Sequence, residues 1–131
     1  MTVPWEILVV SSDLESRRSL IAILHQQGWD PVSASTIDEA VAVLAKETVG
    51  LVFCDQKLAD GSYRDFLATA RYLRPAVRTV VTSADWGEPS DAMRLGAFDV
   101  ISSPCRPTDV EWMVIQAKRD ERKRAQSPVP A

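Results

Sequence analysis

Short, almost wholly apolar runs alternate along this chain with stretches whose apolar residues recur every three or four positions. The first run, WEILVV at 5–10, carries adjacent valines and predicts a strand buried on both faces. Ser12 and Glu15 then read as a capping box, with Leu20, Ile21, Ile23 and Leu24 as the stripe of a helix that Gly28 ends. Pro31 to Ala34 predicts a short second strand. Thr36 and Glu39 form a second capping box, for a helix through Ala40, Val41, Val43 and Leu44 that ends near Lys46. GLVFC at 50–54 is the third strand, Ala59-Asp60-Gly61 a turn, and Phe66, Leu67 and Leu73 mark a helix stopped near Pro75.

Val77 to Val81 predicts the fourth strand, and Thr82 to Pro89 a polar loop holding Trp86. A short helix from Ser90 to Leu95 ends at Gly96, and Asp99 to Ser102 is the fifth strand. After the rigid stretch Ser103-Pro104-Cys105-Arg106-Pro107, a third capping box of Thr108 and Glu111 opens the last helix, which carries Val110, Met113, Val114 and Ala117. From Ala125 the small, Pro-containing tail predicts disorder, giving one domain over 1–124 and a tail or linker over 125–131.

Strict alternation of strands and helices predicts an α/β fold with a parallel sheet covered on both faces. Right-handed crossovers favour a doubly wound five-stranded sheet of order 2-1-3-4-5. Ligands then bind outside the carboxyl ends of the strands, at the switch point. That edge collects Ser11, Ser12 and Asp13 after the first strand, Asp55 after the third, Thr82 and Ser83 after the fourth, and Ser103 after the fifth.

Composition narrows the class. The chain has 131 residues, 46% apolar and 25% charged, which suits one globular domain and excludes a disordered chain. No apolar run approaches the ~18 residues of a membrane span, and the first residues lack the basic start of a secretory signal. A net charge of −3 argues against nucleic-acid binding by bulk electrostatics. Cys54 and Cys105 are too few for a disulfide framework, and without a signal peptide they point to a reducing cytoplasm. With His25 as the one histidine, there is no zinc spacing and no nucleophile–histidine pair for a hydrolase. Neither common Gly-rich phosphate loop is present.

Asp55 is the residue with chemistry to offer. Its position directly after GLVFC suits a helix-dipole charge or cap and equally a carboxylate nucleophile able to accept a phosphoryl group.

The pieces ILVV at 7–10, CDQKLADG at 54–61, VVTSA at 80–84 and LGAFDVISSP at 95–104, in this order, make the chain resemble the receiver domain of bacterial two-component response regulators, with its flavodoxin-like, CheY-like fold. The resemblance runs from about Glu6 to Ala117. It implies that Asp55 accepts a phosphoryl group from a sensor histidine kinase, that Thr82 is the switch hydroxyl, and that Lys57 lends a backbone carbonyl to Mg2+. It also implies that Ser103-Pro104 stands where the family has Lys-Pro and that the peptide before Pro104 is cis. The partners it implies are a histidine kinase or another signalling protein, and a second copy through the face of helix 4, strand 5 and helix 5. Trp112 is a candidate interface anchor on that face. No nucleic acid or membrane partner is implied for this domain.

The departures are specific. The family's acidic pair is Ser11 and Ser12 here, its lysine is Ser103, and its switch aromatic is Val100. Mg2+ asks for hard oxygen ligands, commonly carboxylates. That leaves Asp55, Asp13, Ser12 and the Lys57 carbonyl as a weak metal set, so an impaired Mg2+ site is expected. Asp13 reads as a metal carboxylate or as a dipole charge at the helix start. Lys57 reads as a countercharge over Asp55 or as a solvated lysine. Trp5 and Trp29 are expected to pack against neighbouring elements, Cys54 to lie in the core, His25 on a helix surface, and the basic residues 118–124 on a solvated helix end.

Two functions follow. One is a phosphorelay receiver that signals through protein contacts, with no enzymatic activity beyond its own phosphorylation and dephosphorylation at Asp55. The other is a pseudo-receiver that docks partners and is never phosphorylated. With only a short tail after the last helix, the chain reads as a receiver that works alone or as a piece of a longer regulator.

Overall fold

The computed structural model describes residues 5–84 and 91–126. Its elements run β1 (Glu6–Val10), α1 (Leu14–Gln26), β2 (Val32–Ala34), α2 (Ile37–Lys46), β3 (Val49–Asp55), β4 (Lys57–Leu58), β5 (Gly61–Ser62), α3 (Tyr63–Leu73), β6 (Arg78–Ser83), β7 (Asp99–Ser102) and α4 (Pro107–Gln126). Five strands pair in the order β2-β1-β3-β6-β7, every pairing parallel. This is the doubly wound, flavodoxin-like order expected from the alternation. β4 and β5 form a small antiparallel hairpin around the expected turn at 59–60.

Strand side chains alternate between the two faces, and both faces are apolar. Leu8, Val10, Val52, Cys54 and Val81 pack with Ala40 and Leu44 of α2 and Phe66, Leu67 and Ala70 of α3. Ile7, Val9, Leu51, Phe53 and Val80 pack with Leu20 and Leu24 of α1 and Val110, Met113, Val114 and Ala117 of α4. Trp5 and Trp29 extend the second layer, their rings 5.5 Å apart with the Lys118 ammonium over both. Among the described residues, no helix is long and apolar enough to cross a membrane.

The sequence reading is corrected in several places. The residues 91–96 form hydrogen-bonded turns in place of the end of a short helix, with Leu95 N–H on the Asp91 carbonyl (2.8 Å) and Ala97 N–H on the Ala92 carbonyl (2.8 Å). Gly96, at φ +102°, closes the segment before a helix can propagate. Trp86 and Ser90 lie outside the described residues. The N-cap of α1 is Asp13, which accepts from Ser16 N–H, and not Ser12. α4 begins at Pro107, so Thr108 sits inside its first turn; proline at the first helical position gives up no needed N–H. The complete capping box is the unforeseen one at α3, where Ser62 and Asp65 bond each other's backbone N–H groups. α4 also continues through Gln126, two residues into the expected tail; residues 127–131 lie outside the description.

Candidate functional site

β3 ends on Asp55, and the parallel register sets it opposite Thr82 of β6. β6 extends through Ser83, so Thr82 is a strand residue and not the first of a loop. That fixes its side chain. Thr82 is 3% exposed, and its hydroxyl donates to Asp55 Oδ1 at 2.5 Å. The other carboxylate oxygen is also met. Ser11, the residue after β1, is 2% exposed and donates its hydroxyl to Asp55 Oδ2 at 2.5 Å.

Ser11 is held by its backbone. Its N–H donates to the Ala34 carbonyl (3.0 Å), and its carbonyl accepts from Arg17 Nη1 (2.7 Å). Ser12 is occupied elsewhere: its hydroxyl donates to the Ser35 carbonyl (2.6 Å) and accepts from Ala59 N–H (2.8 Å). Asp13 lines the cleft but spends Oδ2 on Ser16 N–H (2.9 Å), and its hydrogen bonds with Ser16 hold its carboxyl below the usual range.

A cleft of about 310 Å3 opens over Asp55, lined also by Asp13, Lys57, Thr82 and Ser103. Lys57 is exposed on β4. Ser103 N–H donates to the Ser83 carbonyl (2.9 Å), and the Ser103–Pro104 peptide is cis, as the resemblance implied. The neighbouring residue Gln56 was not singled out from the sequence. Its N–H donates to the Thr82 carbonyl (2.9 Å) and its Oε1 accepts from Ser83 Oγ (2.7 Å), clamping β3 to β6 beside the acid. The strand length of β6 was the missing signal.

Below the cleft a small void is lined by Ser11, Ser19, Asp55 and Cys105. Burial, with the Asp55 and Asp109 charges behind it, pushes the Cys105 thiol up to about 12. Burial also raises the Cys54 thiol, with Asp55 adding to it. Both thiols are protonated at neutral pH, which suits core packing rather than redox chemistry.

Mg2+ takes oxygen ligands in near-octahedral array, usually with one or two carboxylates. Among the described residues, no three His, Cys, Asp or Glu side chains converge as a metal cluster. Asp55 has both oxygens on hydroxyls, Asp13 caps a helix, and the Ser12 proton is committed.

No family model matches the sequence. Individual relatives do. Over 103 residues the chain is 31% identical to the alginate biosynthesis transcriptional regulatory protein AlgB of Pseudomonas aeruginosa, covering 77% of this chain and 23% of that one. It is 32% identical over 111 residues to the phosphate regulon transcriptional regulatory protein PhoB of Escherichia coli, 79% of this chain and 47% of that one. The chain thus spans less than half of each of these two relatives. A solved response regulator receiver protein from Pseudomonas putida superposes with a TM-score of 0.79 at 29% identity, covering 88% of this chain and 98% of that one.

The chain is a response-regulator receiver domain.

Within this receiver, the topology brings Ser11, Asp13, Asp55, Lys57, Thr82 and Ser103 to one cleft or its floor. It leaves Ser12 bridging two loops and His25 exposed in the last turn of α1, 3.5 Å from Asp30. Away from the cleft, Trp112 is 53% exposed on α4 and Ile115 beside it 37%. Trp112 lines a shallow groove of about 280 Å3 with Asp99, Ser102 and Asp109, along the edge strand β7.

Proposed function

We propose that this receiver accepts a phosphoryl group on Asp55 in a phosphorelay and signals through protein contacts, without a competent Mg2+ site. The observation that carries the reading is Asp55 itself, at the end of a central strand, open to a cleft, with one buried hydroxyl on each oxygen. A carboxylate offers about four lone-pair positions, so two remain for attack. In the transfer, an Asp55 oxygen forms a bond to phosphorus as the donor's P–N or P–O bond breaks. The leaving group keeps the electron pair and takes its proton from water. Phosphoryl transfer depends on positioning and on stabilising the equatorial oxygens. Ser11 and Thr82 supply hydroxyls for this, and Lys57 supplies a cation at the rim. Each missing preorganised group costs about 2.7–4 kcal/mol, roughly 100- to 1,000-fold in rate, so uptake is slow.

The expected donor is a sensor histidine kinase in the cytoplasm. The groove at Trp112 is the expected docking face for a signalling partner or a second copy, and nucleic acid is not an expected partner of this domain. The test is intact-protein mass after incubation with acetyl phosphate, for wild type and Asp55→Ala. One slowly accumulating phosphoryl adduct, lost in Asp55→Ala, supports the reading. A folded wild-type chain that never gains the adduct, from acetyl phosphate or a kinase, supports the second reading, a docking module. The commitment of the Ser12 hydroxyl to Ser35 and Ala59, and of the Asp13 carboxylate to the cap of α1, is the observation that favours that alternative.

A further inference from the structure

A second cavity, of about 640 Å3 against 310 Å3 for the cleft over Asp55, opens at the opposite end of the sheet. Its walls come from the starts of β3 and β6 and from the connection between α3 and β6. Val49, Gly50, Pro75 and Val77 line it, together with the Trp5 indole. That size and that mostly apolar lining are those of a small-molecule site. Gly50 makes the room for the ring. A Cβ there would stand 1.8 Å from Trp5 Nε1, so the indole lies on the strand only because this residue has no side chain. The indole N–H is buried, with no acceptor among the described residues. Buried donors are nearly always paired, so this one marks a place for an acceptor.

Three guanidiniums reach the same cavity from three parts of the chain: Arg74 just after α3, Arg78 in β6 and Arg124 in α4. Two of them are spent within the protein. Arg78 donates to Asp120 at 2.6 Å and has Glu121 at 4.0 Å, and Arg124 lies 3.4 Å from the same Asp120. Arg74 differs. Its Nε donates to the neutral Leu44 carbonyl (3.0 Å), and among the described residues it has no carboxylate partner. That bond leaves the two terminal nitrogens of a planar fork, which match two carboxylate oxygens. Glu47 lies on the same rim and limits how much negative charge the mouth accepts. We propose that this cavity binds a small aromatic molecule with a single negative charge, an aryl carboxylate in chemical class, its ring against Trp5 and its carboxylate on Arg74. Because the cavity is lined by Glu121 and Arg124 of α4 as well as by β3 and β6, an occupant ties the end of that helix to the sheet.

The site shares no residue with the Asp55 cleft, so the two readings fail separately. The full chain, labelled with 15N, is titrated with 2-naphthoate at neutral pH while the tryptophan indole signals and the Gly50 amide are followed. The Trp5 indole is identified by its loss in Trp5→Phe. Saturable shifts are expected at the Trp5 indole and at Gly50, with the Trp112 indole unmoved. The uncharged 2-naphthamide is expected to bind about 10-fold more weakly, for want of a charged hydrogen bond to Arg74. The dianion 2-naphthyl phosphate is also expected to bind more weakly than the carboxylate. Arg74→Gln, a change at an exposed residue, is expected to weaken 2-naphthoate by about the same factor and to leave 2-naphthamide unchanged. No saturable shift at Trp5 and Gly50 overturns the proposal, as do shifts that map instead to Trp112 or to the Asp55 cleft. So does an amide or a phosphate that binds as tightly as the carboxylate, or an Arg74→Gln chain that binds 2-naphthoate as wild type does.

Discussion

Replacing Thr82 with valine removes one hydroxyl from the Asp55 site without opening a cavity. Thr82 is 3% exposed and donates to Asp55 Oδ1. A hydrogen bond to a charged group contributes about 1.5–3 kcal/mol. Two effects reduce the loss. The added methyl is buried, worth up to about 0.8 kcal/mol, and Asp55 is only partly buried, so cleft water can reach Oδ1. The expected net loss is about 1–2 kcal/mol, or a fall in Tm of roughly 4–8 °C in a domain of this size. The assay is urea unfolding followed by tryptophan fluorescence, with the packed Trp5–Trp29 pair as reporter. The slope m should not change, because the surface exposed on unfolding is the same. The decisive arm repeats Thr82→Val in an Asp55→Ala background. There the hydroxyl has lost its acceptor, so the substitution should cost almost nothing and the cycle should show a coupling of about 1.5 kcal/mol. A loss that is the same in both backgrounds, within about 0.5 kcal/mol, would refute the pairing of Thr82 with Asp55.

Three other outcomes are expected. Asp120→Ala should cost about 2 kcal/mol in the same assay, because it strips the 2.6 Å partner from Arg78, which is 5% exposed; the 3–5 kcal/mol of a fully buried pair is reduced by a one-third exposed Asp120 and by Glu121 at 4.0 Å. Arg78→Met added to it should recover most of that loss, and no recovery would contradict the ion-pair account. Asp60 accepts from Ile37 and Asp38 N–H at the start of α2, and the first of these bonds leads in holding its carboxyl below the usual 3.8. Its contribution is therefore complete above the unfolded value and is lost as pH falls through the lower folded one; an Asp60→Asn chain should show a shallower acid limb than wild type, and superimposable limbs would count against the cap. Gly50→Ala would place a Cβ 1.8–2.0 Å from the Trp5 ring, so the indole must leave Trp29; an unchanged tryptophan emission spectrum would contradict that packing.

The sheet order was legible because both faces of the central strands are apolar, Ile7 and Val9 on one side and Leu8 and Val10 on the other, a pattern with few solutions. Asp55 was legible because a carboxylate straight after an apolar run marks a strand end. The clamp on it was not. The Ser11–Asp55 contact spans 44 residues, and a serine in a loop carries no mark of its target. The misplaced caps have the same origin. In Ser11-Ser12-Asp13 every residue is a competent cap, and the contacts of Ser12 with Ser35 and Ala59 decide which one serves. Glu39 was expected to close a box on Thr36, but its side chain reaches Ser35 instead, while Thr36 still caps α2. The Asp60 cap of α2 is a tertiary bond over 23 residues. Arg78 lies at the start of a strand whose apolar centre was visible, but its partner sits 42 residues on, on another element. Local pattern gave the elements, and polar contacts between distant loops gave the site its character.

The most direct test of the whole account is the ratio of phosphoryl uptake rates at Asp55 in Mg2+ and in chelator, measured by intact mass with one acetyl phosphate stock. A ratio near one, with both rates slow and both abolished in Asp55→Ala, is the result this structure leads to. A rate that rises by orders of magnitude with Mg2+ would contradict it and would mean that the hydroxyls of Ser11 and Thr82 give way to a cation at Asp55.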